Sequence, residues 1–193
     1  MKKLLPLFII CLTFLVSGCG NKISFNEFIK IASTGTPQEV EAAVKQVGNI
    51  NKTFTMKTKV GPTKFHVMHY VAQKTKYPEV IDILIKNGAE KNIENQLAEG
   101  NPIDIAAEMN PNEGIVTALY NNGAKSAQND YRRVIFAAIK NPNPAILEEV
   151  LKIDEIRNAA VNSPAKKTAI TYAKAAKSTD EKLQILYNYG FSD

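Results

Sequence analysis

His66 and His69 are the only histidines in the chain, and their i, i+3 spacing could bring both rings to one helix face as metal ligands. A zinc or iron site would want a third and fourth ligand, and no Asp or Glu stands at matching spacing beside them. A metal-dependent hydrolase built on His66 and His69 is thus an alternative that lacks its remaining ligands. The carboxylate pairs Glu148-Glu149, Asp154-Glu155 and Asp180-Glu181 are adjacent in sequence. On a helix such neighbours point about 100° apart, which suits a solvated face or a first turn rather than an acid–base couple. There is no Gly-x-Ser-x-Gly elbow and no Gly-rich phosphate loop. The residues therefore point to no catalytic centre, no cofactor and no small-molecule substrate.

The remaining reactive group is a thiol near the start. Lys2 and Lys3 precede an apolar run from Leu4 to Val16 that only Pro6 and Thr13 interrupt. The run has the size of a signal-peptide core and is short for a membrane-spanning helix. Val16-Ser17-Gly18-Cys19 follows, with small residues ahead of the cysteine. This resembles the lipobox of bacterial lipoproteins, which implies cleavage after residue 18, acylation of Cys19 and more than one acyl chain. One chain binds a membrane only marginally, so the additional chains make the anchor durable. Gly20 in place of Asp favours, by the same resemblance, the outer membrane over the inner one. Of the 2 cysteines, Cys11 lies in the leader, so the mature chain has no thiol for a disulfide or a metal.

After the leader, residues 19–24 read as a linker and 25–193 as one domain large enough for a continuous core. Hydrophobic residues make up 45% and charged ones 22%, which is a globular composition. The net charge of +5 includes Lys2 and Lys3, so the sequence pI near 9.1 overstates the basicity of the mature chain. No tight Lys/Arg cluster with interleaved aromatics occurs, and nucleic acid is not an expected partner.

Two segments 35 residues apart repeat each other. Met68-His69-Tyr70-Val71-Ala72 leads to Pro78 and a run ending Asn87-Gly88-Ala89. Asn101-Pro102-Ile103-Asp104-Ile105-Ala106-Ala107 leads to a run ending Asn122-Gly123-Ala124. Weaker copies run from Glu27 to Gly48, from Val134 to Ile153, and from Thr168 to Gly190. Both strong copies resemble the ankyrin repeat, with His69 at its histidine and Pro102 at its proline. The resemblance implies an all-α solenoid of about five helix–turn–helix repeats, in which the histidine links neighbouring turns. The residue types suit such a unit. Val80, Ile81, Leu84 and Ile85 share one helical face. Pro37, Pro78 and Pro144 fall near a first helical turn, with Thr36 and Ser178 or Thr179 as caps. Gly48, Gly88, Gly123 and Gly190 stand where the second helices stop. Asn49 to Lys64 is longer than a usual connection and predicts an insertion or an irregular repeat. Arg132-Arg133 stands where the pattern has Thr-Pro, so the tight turn there is in question.

In stacked repeats the turn tips and the open side of the short helices line a groove. The tips include Lys57, Lys59 and Lys64, then Asn95, Gln96 and Glu99, with Arg132 and Arg133 placed before the fourth short helix. Tyr70, Gln73 and Lys74 lie on the second copy's short helix. The partner-binding candidates are Tyr70, Gln73, Lys74, Asn95, Gln96, Glu99, Arg132 and Arg133, since Tyr and Arg often anchor interfaces. The expected function is non-catalytic recognition of a protein partner in the bacterial envelope. An inhibitor or immunity-type lipoprotein that neutralises a toxin or hydrolase is an alternative with the same binding physics.

Overall fold

A computed structural model describes residues 22–58, 61–93, 100–176 and 180–193. The signal segment, Cys19, Lys59, Asn95, Gln96, Glu99, Ser178 and Thr179 lie outside the described residues. The chain is mostly helical, with helices coming in pairs: α1 (Phe25–Thr34) and α2 (Pro37–Val44), α3 (Val67–Lys74) and α4 (Pro78–Lys86), α5 (Pro102–Met109) and α6 (Ile115–Asn121), α7 (Arg132–Lys140) and α8 (Pro144–Lys152). Then come α9 (Asp154–Val161), α10 (Ala165–Ala175) and α11 (Asp180–Asn188). First helices pack on first helices, α1 on α3, α3 on α5, α5 on α7 and α7 on α10. Second helices do likewise, α2 on α4, α4 on α6, α6 on α8 and α8 on α11.

Local chemistry sets these boundaries. Pro37, Pro78 and Pro144 each occupy the first turn of a second helix, where a missing N–H removes no helical bond. Thr36 closes a capping box with Glu39: the Glu39 N–H donates to Thr36 Oγ1 (3.3 Å) and the Thr36 N–H to Glu39 Oε2 (2.7 Å). Gly88, Gly123 and Gly190 are left-handed and end α4, α6 and α11 in one way. The N–H of the residue after each glycine donates to the carbonyl five residues back, Ala89 to Leu84, Ala124 to Leu119 and Phe191 to Leu186. Gly48 is not left-handed, and α2 already ends at Val44, so that expected stop is corrected.

The core is one continuous cluster between the two helix layers, including Phe28, Met68, Ile81, Leu84, Leu119, Ile135 and Leu147, all fully buried. Burying each of these side chains stabilises by about 1.5–3 kcal/mol. Small residues let the first helices approach one another: Ala72, Ala106, Ala107 and Ala138 are buried there.

Two elements depart from the expected run of helix pairs. The long Asn49 to Lys64 connection folds into an antiparallel hairpin, β1 (Phe54–Thr58) with β2 (Gly61–Phe65), pairing Phe54 with Phe65 and Thr58 with Gly61. Its first strand alternates apolar Phe54 and Met56 with polar Thr55 and Lys57, the period of a strand. The second is α9, an additional helix between the fourth pair and the last. Arg132 and Arg133 are the first residues of α7 rather than part of the turn before it. The preceding turn is a short 3-10 segment in which Gln128 (φ 59°) and Asn129 (φ 56°) are left-handed.

Candidate functional site

The open side of the first helices carries the candidate surface. At its N-terminal end Tyr70 is half-buried, and its ring meets Phe54 of the hairpin edge-on at 5.8 Å between centroids. Phe54 also contacts Phe65 (6.0 Å) and Phe25 (6.3 Å), so aromatic packing fastens the hairpin onto α1 and α3. Tyr70 is therefore a support for the hairpin more than a free anchor. Next along the face, Gln73 Nε2 lies 3.3 Å from Sδ of Met109 on α5, and Met109 is 51% exposed. Lys74 is exposed at the end of α3.

Lys140 of α7 then pairs with Glu108 of α5 at 3.4 Å, and Phe136 meets Tyr172 of α10 edge-on at 5.4 Å. Beyond them lies a cleft of about 280 Å³ between the starts of α7 and α10. Its walls are Phe136, Pro164, Ala165 and Thr168, with Asp130, Arg132 and Arg133 at one side. Arg132 is already engaged: Nε and Nη2 donate to the two carboxylate oxygens of Asp130 at 2.7 and 2.8 Å. That fork holds the Asp130 carboxyl below its usual range. Of the sequence-chosen residues the structure describes, the two arginines share this cleft, while Tyr70, Gln73 and Lys74 lie at the far end of the face on α3.

The face is held in register by polar side chains that bridge neighbouring pairs. Asn110 Nδ2 donates to the carbonyls of Ala72 (2.9 Å) and Thr75 (2.8 Å), closing the end of α3. Asn141 repeats this on Ala107 (2.9 Å) and Asn110 (2.8 Å), and Lys182 does so on Ile139 (2.7 Å) and on Asn141. Burial lowers the Lys182 pKa. At the opposite ends of these helices, His69 Nε2–H donates to Ile93 O at 2.6 Å. Burial depresses His69 to a pKa of about 4, with the Ile93 hydrogen bond opposing and His66 adding to the effect. Asp104 occupies the same place one copy later, accepting from Ser126 Oγ (2.5 Å), Ala127 N (2.9 Å) and Asn101 N (2.9 Å). Its own burial raises its pKa.

By sequence the chain matches no protein-family model and no curated protein.

For metal chemistry, the His66 and His69 rings are 5.9 Å apart. Among the described residues no group of three or more His, Cys, Asp or Glu is placed to hold a metal ion. Among the described residues no helix is long and apolar enough to cross a membrane. Sequence reasoning missed Met109, Phe136 and Tyr172, which the face exposes or half-exposes. It also missed Asn110 and Asn141, although the tripeptide Asn-Pro-Asn occurs at both 110–112 and 141–143.

Proposed function

We propose that the chain is a lipid-anchored, non-catalytic protein-recognition module of the bacterial envelope, built as an ankyrin-like solenoid of five helix pairs. The observation that carries this reading is the recurrence of one linking device between successive pairs. Asn110, Asn141 and Lys182 each close the first helix of the preceding pair. A unit repeated in this way stacks its core side and keeps one side of its first helices open. That open side joins Gln73, Met109, Phe136 and Tyr172 from four different helices, a surface suited to a protein rather than to a small molecule. The anchor rests on the leader and on Val16-Ser17-Gly18-Cys19, which suit lipidation and export toward the outer membrane. The partner is a protein reached in the periplasm or at the cell surface.

The test is a crosslinking pull-down from native envelopes, with wild type compared with a Lys74→Glu/Met109→Glu variant. Both side chains are exposed, so helicity should be unchanged. One protein recovered by wild type and lost by the variant supports the reading and names the partner. Recovery of no protein by wild type sinks it.

A further inference from the structure

The two helix layers carry opposite charge. The five first helices (α1, α3, α5, α7, α10) hold eight Lys or Arg against three Asp or Glu. The five second helices (α2, α4, α6, α8, α11) hold three against eight. The hairpin adds exposed Lys57 and Lys64 to the positive side. Acidic residues in the second helices have a local reason, since Glu39, Glu79, Asp180 and Glu181 sit in first turns where the helix dipole favours them. In the first layer Lys74, Lys140 and Lys174 sit in last turns, where the dipole likewise favours them, but the cations at two helix starts have no such reason. Arg132 and Arg133 open α7, and Lys166 and Lys167 lie in the first turn of α10, where the dipole opposes positive charge. Both helix starts converge on the cleft of Phe136, Pro164, Ala165 and Thr168. Arg132 answers Asp130, but helix stability does not account for Lys166 and Lys167, which stand between the cleft residues Ala165 and Thr168 in sequence; attraction of a negatively charged occupant does.

We propose that the first-helix layer receives an acidic segment of a protein partner, with an apolar side chain of that segment seated in the cleft between α7 and α10. This rests on the recognition reading above and specifies the partner's chemistry. An apolar floor of about 280 Å³ accommodates one side chain. The cations alternate with Asp130 and Glu108, which are held in pairs with Arg132 and Lys140. That pattern matches discrete carboxylates on a polypeptide better than the uniform negative sheet of an anionic membrane.

The experiment measures fluorescence anisotropy of three labelled peptides with the full chain: one rich in Asp and Glu around a single Phe, its Asn/Gln counterpart, and the acidic peptide with the Phe replaced by Ser. Sedimentation with phosphatidylcholine vesicles, with and without phosphatidylglycerol, is run alongside. The acidic Phe peptide should bind about tenfold or more tightly than either control, and raised salt should weaken it. Thr168→Trp, which fills the cleft from an exposed position, and Lys166→Glu/Lys167→Glu should each weaken it about tenfold. Glu41→Lys/Glu79→Lys on the opposite layer should not. Equal binding of acidic and neutral peptides, indifference to both first-layer variants, or binding to anionic vesicles in place of the peptide would overturn the proposal. If the envelope partner is recovered equally by wild type and by Thr168→Trp, the recognition reading stands and this inference fails; if no partner is recovered, the recognition reading itself has failed.

Discussion

Asn141 stands on Asn110: its side-chain amide donates to the Asn110 carbonyl at 2.8 Å while the Asn110 amide makes the same bond to Thr75 one pair earlier. Both side chains are buried, and each also turns its own Oδ1 to the backbone N–H two residues on, at Asn112 (3.0 Å) and Asn143 (2.9 Å). Each asparagine thus ends one helix and starts the turn into the next.

Replacing Asn141 with Ala strands two buried carbonyls, those of Ala107 and Asn110. An unsatisfied buried acceptor costs about 1–3 kcal/mol, so Asn141→Ala should lower stability by about 2–4 kcal/mol in urea unfolding. Asn141→Asp should cost more, because it sets carboxylate oxygens against carbonyl oxygens. A loss under about 0.5 kcal/mol for both variants would show that the ladder is ornamental.

His69 gives stability a pH dependence. Its folded-state pKa is about 4 against 6.5 in the unfolded chain, so between those values the unfolded state binds more protons. The contribution is complete above pH 6.5 and is lost as pH falls toward 4, and it amounts to about 3 kcal/mol. Asp104 acts oppositely just above pH 3.8, because its folded-state pKa is raised. Comparison with His69→Gln leaves Asp104 common to both proteins and isolates the histidine. The stability gap between wild type and His69→Gln should narrow as pH drops from 6.5 to 4. A gap constant over that range would mean that His69 is not held neutral.

How far the sequence foretells this molecule depends on the range of the signal. Pro37, Pro78 and Pro144 and the Gly-Ala stops at 88 and 123 act within one turn of chain, and each sits where its chemistry requires. The hairpin was legible too, in the alternation of Phe54 and Met56 with Thr55 and Lys57, but the helical repeats around it outweigh five residues of strand period. Helix α9 hides because Asp154 follows α8 after a single residue, Ile153, so that its apolar residues read as a continuation. Arg132 was readable as a charge but not as the partner of Asp130, since a fork between residues two apart depends on the turn that carries them. The replacement of His69 by Asp104 was in plain view at a spacing of 35, yet only the bonds to Ile93, Ser126 and Ala127 reveal that two different side chains do one task.

Glu149 is a second long-range tie, from α8 to the start of α6. Its carboxylate is buried and accepts from Gly114 N (3.0 Å), Thr117 N (2.8 Å) and Thr117 Oγ1 (2.8 Å). Three donors on a helix N-terminus suit a negative charge. Glu149→Gln should cost about 1–3 kcal/mol, because its NH₂ faces donors. In a double-mutant cycle with Thr117→Val, a coupling of about 0.5 kcal/mol or more is expected. Additive losses would mean that the hydroxyl is satisfied by water.

The anchor makes a prediction that is independent of the fold. If Cys19 carries the lipid, cells fed labelled palmitate should place label on the wild-type chain and none on Cys19→Ala. The wild type should then sediment with envelope membranes and resist salt washing, because each buried methylene contributes about 0.8 kcal/mol and a lipidated Cys19 of the proposed kind would carry more than one chain. Electrostatic adsorption through the basic helix layer would instead be released by salt. The two variants therefore separate the forces: Cys19→Ala should be released into the soluble fraction, while Lys166→Glu/Lys167→Glu should leave sedimentation unchanged. Label retained on Cys19→Ala, or wild type washed off by salt, would show that the cysteine is not the anchor.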